Sequence, residues 1–179
     1  RYSGGGVTYS GGEPTFQSQF LRGMVNSFYN MGIHQSIETC GHFYWDNVKN
    51  IFEKLDFIFV DIKHINSKVH KDLTGYDNEL ILDNIINLGK LHKEIVVRIP
   101  LIKGINDSKD NIIKTAEFVH QNVPFGKIEI LPYHSLGNYK YNSLGLEEYH
   151  NYYIPPNKED IDNAKNIIKS FGIEIIDLK

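Results

Sequence analysis

The sequence predicts an α/β protein built on a parallel sheet, and three observations carry this. Short apolar runs of strand length alternate with stretches whose apolar residues recur at helical spacing. One run, Asp56 to Ile62 (DFIFVDI), is almost continuously apolar, as expected of a strand buried on both faces. No linker, repeat or low-complexity segment divides the chain, so residues 1–179 read as one domain. Such alternation gives parallel pairing through right-handed crossovers, in either a barrel or a doubly wound sheet.

Gly6-Val7-Thr8-Tyr9 is the first short strand, and it runs into a turn at Ser10-Gly11-Gly12. After Pro14, apolar residues fall at Phe16, Phe20, Leu21, Met24, Val25 and Phe28, and Gly32 stands where a capping glycine belongs. Gln35 to Cys40 is the second strand. Trp45, Val48, Phe52 and Leu55 form the next helical stripe, and Asp56 to Ile62 is the third strand. Leu80 to Leu91 reads as a helix with Ile81, Ile85 and Leu88 on one face. Ile95 to Ile102 is the fourth strand. Asn106-Asp107-Ser108 offers N-cap residues for a helix carrying Ile112, Ala116 and Val119. Lys127 to Leu131 is the fifth strand. Pro132 to Pro156 has no period and is rich in tyrosine. A last helix carries Ile161, Ala164, Ile168 and Phe171, and Ile173 to Ile176 is the sixth strand.

Composition narrows the function classes. The chain has 179 residues, enough for a substantial core. Its net charge of -3 gives no basic field, which argues against nucleic acid as a partner. No apolar run is long enough to span a bilayer, so a membrane partner is not expected. Cys40 is the single cysteine. It excludes an internal disulfide, suits a reducing cytoplasm, and cannot by itself hold an iron–sulfur cluster or a thiolate zinc site. The chain begins at Arg1, almost on top of a strand, and is expected to be a fragment or a processed chain.

The places where strands stop are the informative pattern. The first ends in Ser10-Gly11-Gly12-Glu13-Pro14 and the second in Glu38-Thr39-Cys40-Gly41. The third ends in Asp61-Ile62-Lys63-His64, the fourth carries Arg98, and the fifth ends in Leu131-Pro132-Tyr133-His134. Barrel and open α/β proteins build their sites along this edge. Taken singly, Glu38 could be a solvated strand end. Asp61 and Lys63, two apart and so on one face, could be a local pair, and Arg98 could pair with a carboxylate. The joint set, Glu13, Glu38 and Asp61 against Lys63 and Arg98, matches a ligand bearing both an ammonium and a carboxylate group.

Two phosphate-loop readings of the first turn fail. GxGxxG needs a glycine where Tyr9 stands, and a Walker loop needs Lys-Ser/Thr where Glu13 and Pro14 follow Gly12. Adjacent glycines do let a ligand approach the main chain, and a carboxylate just beyond them can accept from an ammonium group.

The strings SGGGVTYSGGEP, ETCG, DIKH, RIPLIKGIND and LPYHSLGNYKY, in this order and spacing, resemble the radical S-adenosylmethionine activases of glycyl radical enzymes, the family of the pyruvate formate-lyase activase. The resemblance covers essentially the whole chain. It implies a partial (β/α)6 TIM-like barrel lacking, in this chain, its first βα unit. It implies S-adenosylmethionine as cofactor, beside a [4Fe–4S] cluster held by a CxxxCxxC loop in a longer parent, and cleavage to a 5′-deoxyadenosyl radical that acts on a backbone glycine of the partner. The partner would be a glycyl radical enzyme such as pyruvate formate-lyase, with flavodoxin or ferredoxin as reductant. Carried over by motif, Gly11, Gly12 and Glu13 would line the methionine end, Lys63 and Arg98 the carboxylate and ribose, and His134 the adenosine. Glu38, Thr39 and Asp61, with the Phe59 carbonyl, would hold a monovalent cation. The segment from Tyr133 to Tyr153 would lie over the barrel mouth.

The departure is the absent CxxxCxxC loop. The expectation is therefore the C-terminal portion of an activase, unable alone to cleave S-adenosylmethionine, with an open sheet edge at Gly6 to Ser10 that pairs between copies or is weakened. Two other readings stand beside it: a cluster-less homologue acting as a binding module for a glycyl radical enzyme, and an aldolase-type barrel using Lys63 as a Schiff base.

Overall fold

The computed structural model describes residues 5–91, 93–137, 143–145 and 153–177. The strands are β1 (Val7–Tyr9), β2 (Gln35–Thr39), β3 (Phe57–Asp61), β4 (Glu94–Leu101), β5 (Lys127–Pro132) and β6 (Glu174–Ile175). The helices are α1 (Ser18–Asn30), α2 (Trp45–Phe52), α3 (Ser67–Thr74), α4 (Glu79–Gly89), α5 (Lys109–Asn122) and α6 (Lys158–Ser170). Short 3-10 turns cover Pro14–Gln17 and Ser135–Gly137.

All strand pairs are parallel, and the sheet order is β1-β2-β3-β4-β5-β6. A doubly wound sheet would need a reversal in that order. With sequential order and crossovers of one hand, every helix falls on the same side. β1 and β6 do not meet, so the sheet is an unclosed, partial TIM-like barrel.

Burial follows from this. Ile37, Ile58, Val60, Val97, Ile99, Ile128 and Ile130 point under the helices and pack with Val25, Val48, Ile51, Ile85, Ile112, Val119 and Ile168. The alternate positions, including Ser36, Glu38, Phe57, Phe59, Asp61 and Arg98, face away from the helices. β3 was expected to be buried on both faces. Instead, burial alternates along it, with Ile58 and Val60 buried and Phe57, Phe59 and Asp61 half-buried, because the layer of helices covers one face only.

Two further expectations are corrected. Phe16 and Phe20 do not join the buried stripe of α1; they are 83% and 68% exposed, and only Leu21 and Val25 of that helix are buried. Phe20 lines the cavity beside β1, and Phe16, in the turn before α1, lies with His42, Tyr44 and Leu80 past the end of β2. Helix α3 was not expected at all. Its sequence SKVHKDLT is too polar to show an apolar stripe, and it is set by its ends: the Asn66 side chain accepts from Val69 N at 3.1 Å, and Gly75 turns left-handed at φ 86°. Among the described residues no helix is long and apolar enough to cross a membrane.

Candidate functional site

The turn after β1 holds the first part of the site. Gly11 sits at φ 119°, a conformation that favours glycine. A Cβ at Gly11 or Gly12 would meet nothing within 4 Å, so the main chain here is open to approach. A cavity of about 320 Å³ lies against the turn, lined by Tyr9, Ser10, Gly12, Glu13, Phe20 and Met24 among others.

Glu13 locks this turn to the end of β2. Its carboxylate accepts from Thr15 N (3.1 Å), Thr15 Oγ1 (2.7 Å), Thr39 Oγ1 (2.9 and 3.0 Å to its two oxygens) and Cys40 N (2.8 Å). Burial pushes the Glu13 carboxyl up, but the hydrogen bonds from Cys40 and Thr15 outweigh it and hold the group below the ordinary glutamate value. The neighbouring Cys40 thiol is pushed up to about 11 by burial and by Glu13. It is protonated at neutral pH and is no nucleophile.

The second part spans β2, β3 and β4. Arg98 Nε donates to Asp61 Oδ1 at 3.0 Å, and its Nη1 stands 3.5 Å from Glu38 Oε2. The Lys63 ammonium lies 3.5 Å from Asp61 Oδ2, and Ser10 Oγ donates to Glu38 at 2.9 Å. The Arg98 guanidinium also lies over the Phe59 ring, 5.3 Å from its centroid. Two cations and two carboxylates therefore form one chain, Glu38–Arg98–Asp61–Lys63, joined to the glycine turn through Ser10. Its middle is covered, with the Arg98 side chain 14% exposed, and its end is open, with Lys63 40% exposed. A ligand would meet the ends first.

The structure thus brings Glu38, Asp61, Lys63 and Arg98 into one network, beside Gly11 and Gly12. It sets Thr39 apart from them: its hydroxyl donates to Glu13, and the residue is buried on the helix side of the sheet. Phe59 stands in the β3 ladder between Glu38 and Val96. His134 is exposed just beyond β5. Of the tyrosine-rich segment, residues 138–142 and 146–152 lie outside the described residues. Its ends do meet, with the Tyr133 and Tyr153 rings edge to face at 5.9 Å.

Sequence reasoning missed Glu129, which is 5% exposed and in register with Arg98. A carboxylate inside the apolar run of β5 was the available signal. Ser10 was read only as part of the turn and Asn106 only as an N-cap candidate, and the buried Asn78, Asn84 and Asn111 near the strand ends were not singled out.

The fit to metal and cofactor differs by group. Among the described residues no three His, Cys, Asp or Glu side chains converge on a point that could hold a metal ion. With one cysteine in the whole chain, an iron–sulfur cluster does not fit its residues. A zwitterionic ligand does fit, since open glycine backbone adjoins a network of both charges.

The model of the radical SAM superfamily matches residues 1–119. The 4-hydroxyphenylacetate decarboxylase activating enzyme of Clostridioides difficile (strain 630) is 41% identical over 164 residues, which is 90% of this chain and 50% of that protein. The pyruvate formate-lyase 1-activating enzyme of Escherichia coli (strain K12) is 31% identical over 176 residues, covering 97% of this chain and 72% of that protein. Among solved structures, a domain of the pyruvate-formate lyase-activating enzyme from Bacteroides vulgatus ATCC 8482 superposes with a TM-score of 0.79 at 28% identity, over 96% of this chain and 98% of that one. The chain spans about half the length of the first relatives it matches. With this match and these relatives, the chain belongs to the radical SAM superfamily, in its family of glycyl radical enzyme activating enzymes.

Proposed function

We propose that the strand-end site binds S-adenosylmethionine by its methionine end, as part of an enzyme that activates a glycyl radical enzyme. The observation that carries this reading is the Glu38–Arg98–Asp61–Lys63 network beside the open Gly11-Gly12 turn. The ligand carries an ammonium, a carboxylate and a sulfonium. Lys63 and Arg98 supply the cations for its carboxylate and the adjoining ribose. Gly11 and Gly12 let the main chain approach the methionine, while Glu13 fixes the turn and faces the amino end. His134 stands toward the adenosine. A monovalent cation at Glu38, Asp61 and Thr39 belongs to the same reading. It would compete with Arg98 for both carboxylates, and Thr39, whose side chain is held by Glu13 on the opposite face of the sheet, would have to be displaced to join them.

The radical step needs an electron delivered through an iron–sulfur cluster. Residues 1–179 form one barrel unit of a longer protein, which supplies the thiolates for that cluster, and this chain alone does not cleave S-adenosylmethionine. The whole protein is an oxidoreductase of the cytoplasm, fed by flavodoxin or ferredoxin, and its partner is a glycyl radical lyase. The names of the relatives support the kind of partner: two of them activate 4-hydroxyphenylacetate decarboxylase and pyruvate formate-lyase.

Calorimetric titration of the chain with S-adenosylmethionine tests the site. Replacing Arg98 by Met removes a charge-assisted contact of about 1.5–3 kcal/mol, so affinity should fall about 10- to 150-fold. Equal affinity in the variant would overturn the assignment. Anaerobic reconstitution with iron and sulfide tests the rest: the chain should show no [4Fe–4S] spectrum.

A further inference from the structure

Four buried asparagines, Asn78, Asn84, Asn106 and Asn111, brace the loops at the strand ends. Asn84 Nδ2 donates to the carbonyls of Gly41 (2.8 Å) and Phe43 (2.7 Å), after β2. Asn78 Nδ2 donates to those of His64 (2.9 Å) and Ile65 (2.8 Å), after β3. Asn111 Oδ1 accepts from Ile65 N at 3.0 Å, and its Nδ2 donates to the Asn106 carbonyl at 2.7 Å.

Asn106 occupies the centre. Its Nδ2 donates to the carbonyls of Pro100 (2.6 Å) and Lys63 (2.9 Å), and its Oδ1 accepts from Ile102 N (2.8 Å). The main-chain bond from Ile62 N to Arg98 O, 2.9 Å, stands one residue before Lys63. The next tie between the two chain segments is this side chain. Asn106 therefore extends the β3–β4 ladder past its end, and it does so at the residue that carries the ammonium. The Lys63 side chain is 40% exposed and reaches its Asp61 partner at 3.5 Å. At that exposure burial alone does not fix the ammonium, so the position of its main chain decides where the charge stands.

We propose that Asn106 is a positioning residue for Lys63: it fixes the ammonium against Asp61, the carboxylate that Arg98 also holds, and thereby sets how tightly the site holds a ligand carboxylate. The ligand half of this inference rests on the reading that the site binds S-adenosylmethionine. The position of Lys63 does not. An amide suits this place because it offers two donors to two carbonyls and an acceptor to one N–H. A carboxylate of the same shape would set an oxygen against the carbonyls of Lys63 and Pro100.

Two measurements on the 179-residue chain and Asn106→Asp decide it. The first needs no ligand: competitive labelling of amines with acetic anhydride, read by mass spectrometry. Lys49 and Lys114, on outer helices, serve as internal references. In the variant, Lys63 should label about threefold or more faster relative to them, as its loop leaves Asp61. An unchanged Lys63 rate in a folded variant overturns the proposal. The second is calorimetric titration with S-adenosylmethionine in four proteins: parent, Asn106→Asp, Lys63→Met and the double variant. Each single change should weaken binding about tenfold, and the double variant should match Lys63→Met within about threefold, since Asn106 acts through Lys63. Losses that multiply would mark a general effect on the fold and overturn the proposal. If the parent does not bind S-adenosylmethionine, the ligand reading falls, and the labelling result still decides what Asn106 does. Should Asn106→Asp fail to fold, Asn106→Ser removes the paired donors and is taken through the same two measurements, with the same results deciding.

Discussion

Replacing Glu13 by Gln tests the lock between the glycine turn and β2. Gln keeps the shape and exchanges one oxygen for an NH2 group. Placed at Oε2, that group faces Cys40 N, which now donates to Glu13 at 2.8 Å. Placed at Oε1, it faces Thr15 N, which now donates at 3.1 Å. Either way a backbone N–H loses its acceptor and two donors meet. A hydrogen bond to a charged group contributes about 1.5–3 kcal/mol, and the half-buried setting points to the lower part of that range, about 2 kcal/mol. The assay is urea unfolding at pH 7, where the variant should show a lower midpoint at unchanged slope.

The pH dependence gives a second readout. Burial pushes the Glu13 carboxyl up, yet its hydrogen bonds leave it below the ordinary value, so the folded state favours the carboxylate. Its contribution is complete above the unfolded value, about 4.3, and is lost as pH falls through the lower folded value. The difference between the parent and Glu13→Gln should therefore hold from pH 7 to about 5 and shrink below about 4. A difference under about 0.5 kcal/mol at pH 7, or one that persists undiminished to pH 3, would refute the reasoning.

Other outcomes follow from the same geometry. Burial lowers the pKa of His64, whose Nδ1 accepts from Asn66 N at 3.0 Å; its NMR titration should therefore have a midpoint below the ordinary histidine value of about 6.5, and stability should fall as pH drops from that value toward the midpoint. A midpoint at or above the ordinary value would contradict its burial. Gly89→Ala would gain about 1 kcal/mol from helix propensity alone. Its Cβ, however, would stand 2.2 Å from the Asn122 carbonyl, so denaturant unfolding should show a net loss of about 1–3 kcal/mol, and a more stable variant would show that α4 and α5 can part. Asn66→Ala should cost about 1 kcal/mol through the lost cap of α3, measured as a lower unfolding midpoint, and no change would mean that the helix is held by packing alone.

The parts of the fold legible in the sequence were those written as period. The buried stripes of α2, α4, α5 and α6 and the six strands come from apolar spacing. Helix α3 was not legible, because its apolar residues are too few and its identity lies in Asn66 and Gly75 at its ends. The face assignment of β3 was misread because Phe57 and Phe59 look as apolar as Ile58 and Val60. Only the one-sided layer of helices, a global property, separates them. In the site, residues at strand ends were legible because charge interrupts an apolar run there. The asparagine braces were not, since an asparagine in a loop reads as turn chemistry until the fold shows that it is buried.

The two faces of the sheet divide stability from binding. Ile37 and Glu38 are neighbours in the chain and point opposite ways, the first fully buried under the helices, the second at the open end of the charge network. Truncating Ile37 to Ala removes core packing of about 2–5 kcal/mol, whereas neutralising Glu38, 36% exposed and 3.5 Å from Arg98, touches about 1 kcal/mol. Most of the site can therefore vary without unfolding the protein. The exception is the glycine turn. Its Glu13 reaches Thr39, which is buried on the helix side, so one carboxylate ties the ligand-facing backbone to the packed layer. A change there alters binding and stability together. The rest of the charge network cannot compensate the loss of Glu13, because none of Glu38, Asp61 or Glu129 is bonded to the Thr15 and Cys40 N–H groups that it accepts from.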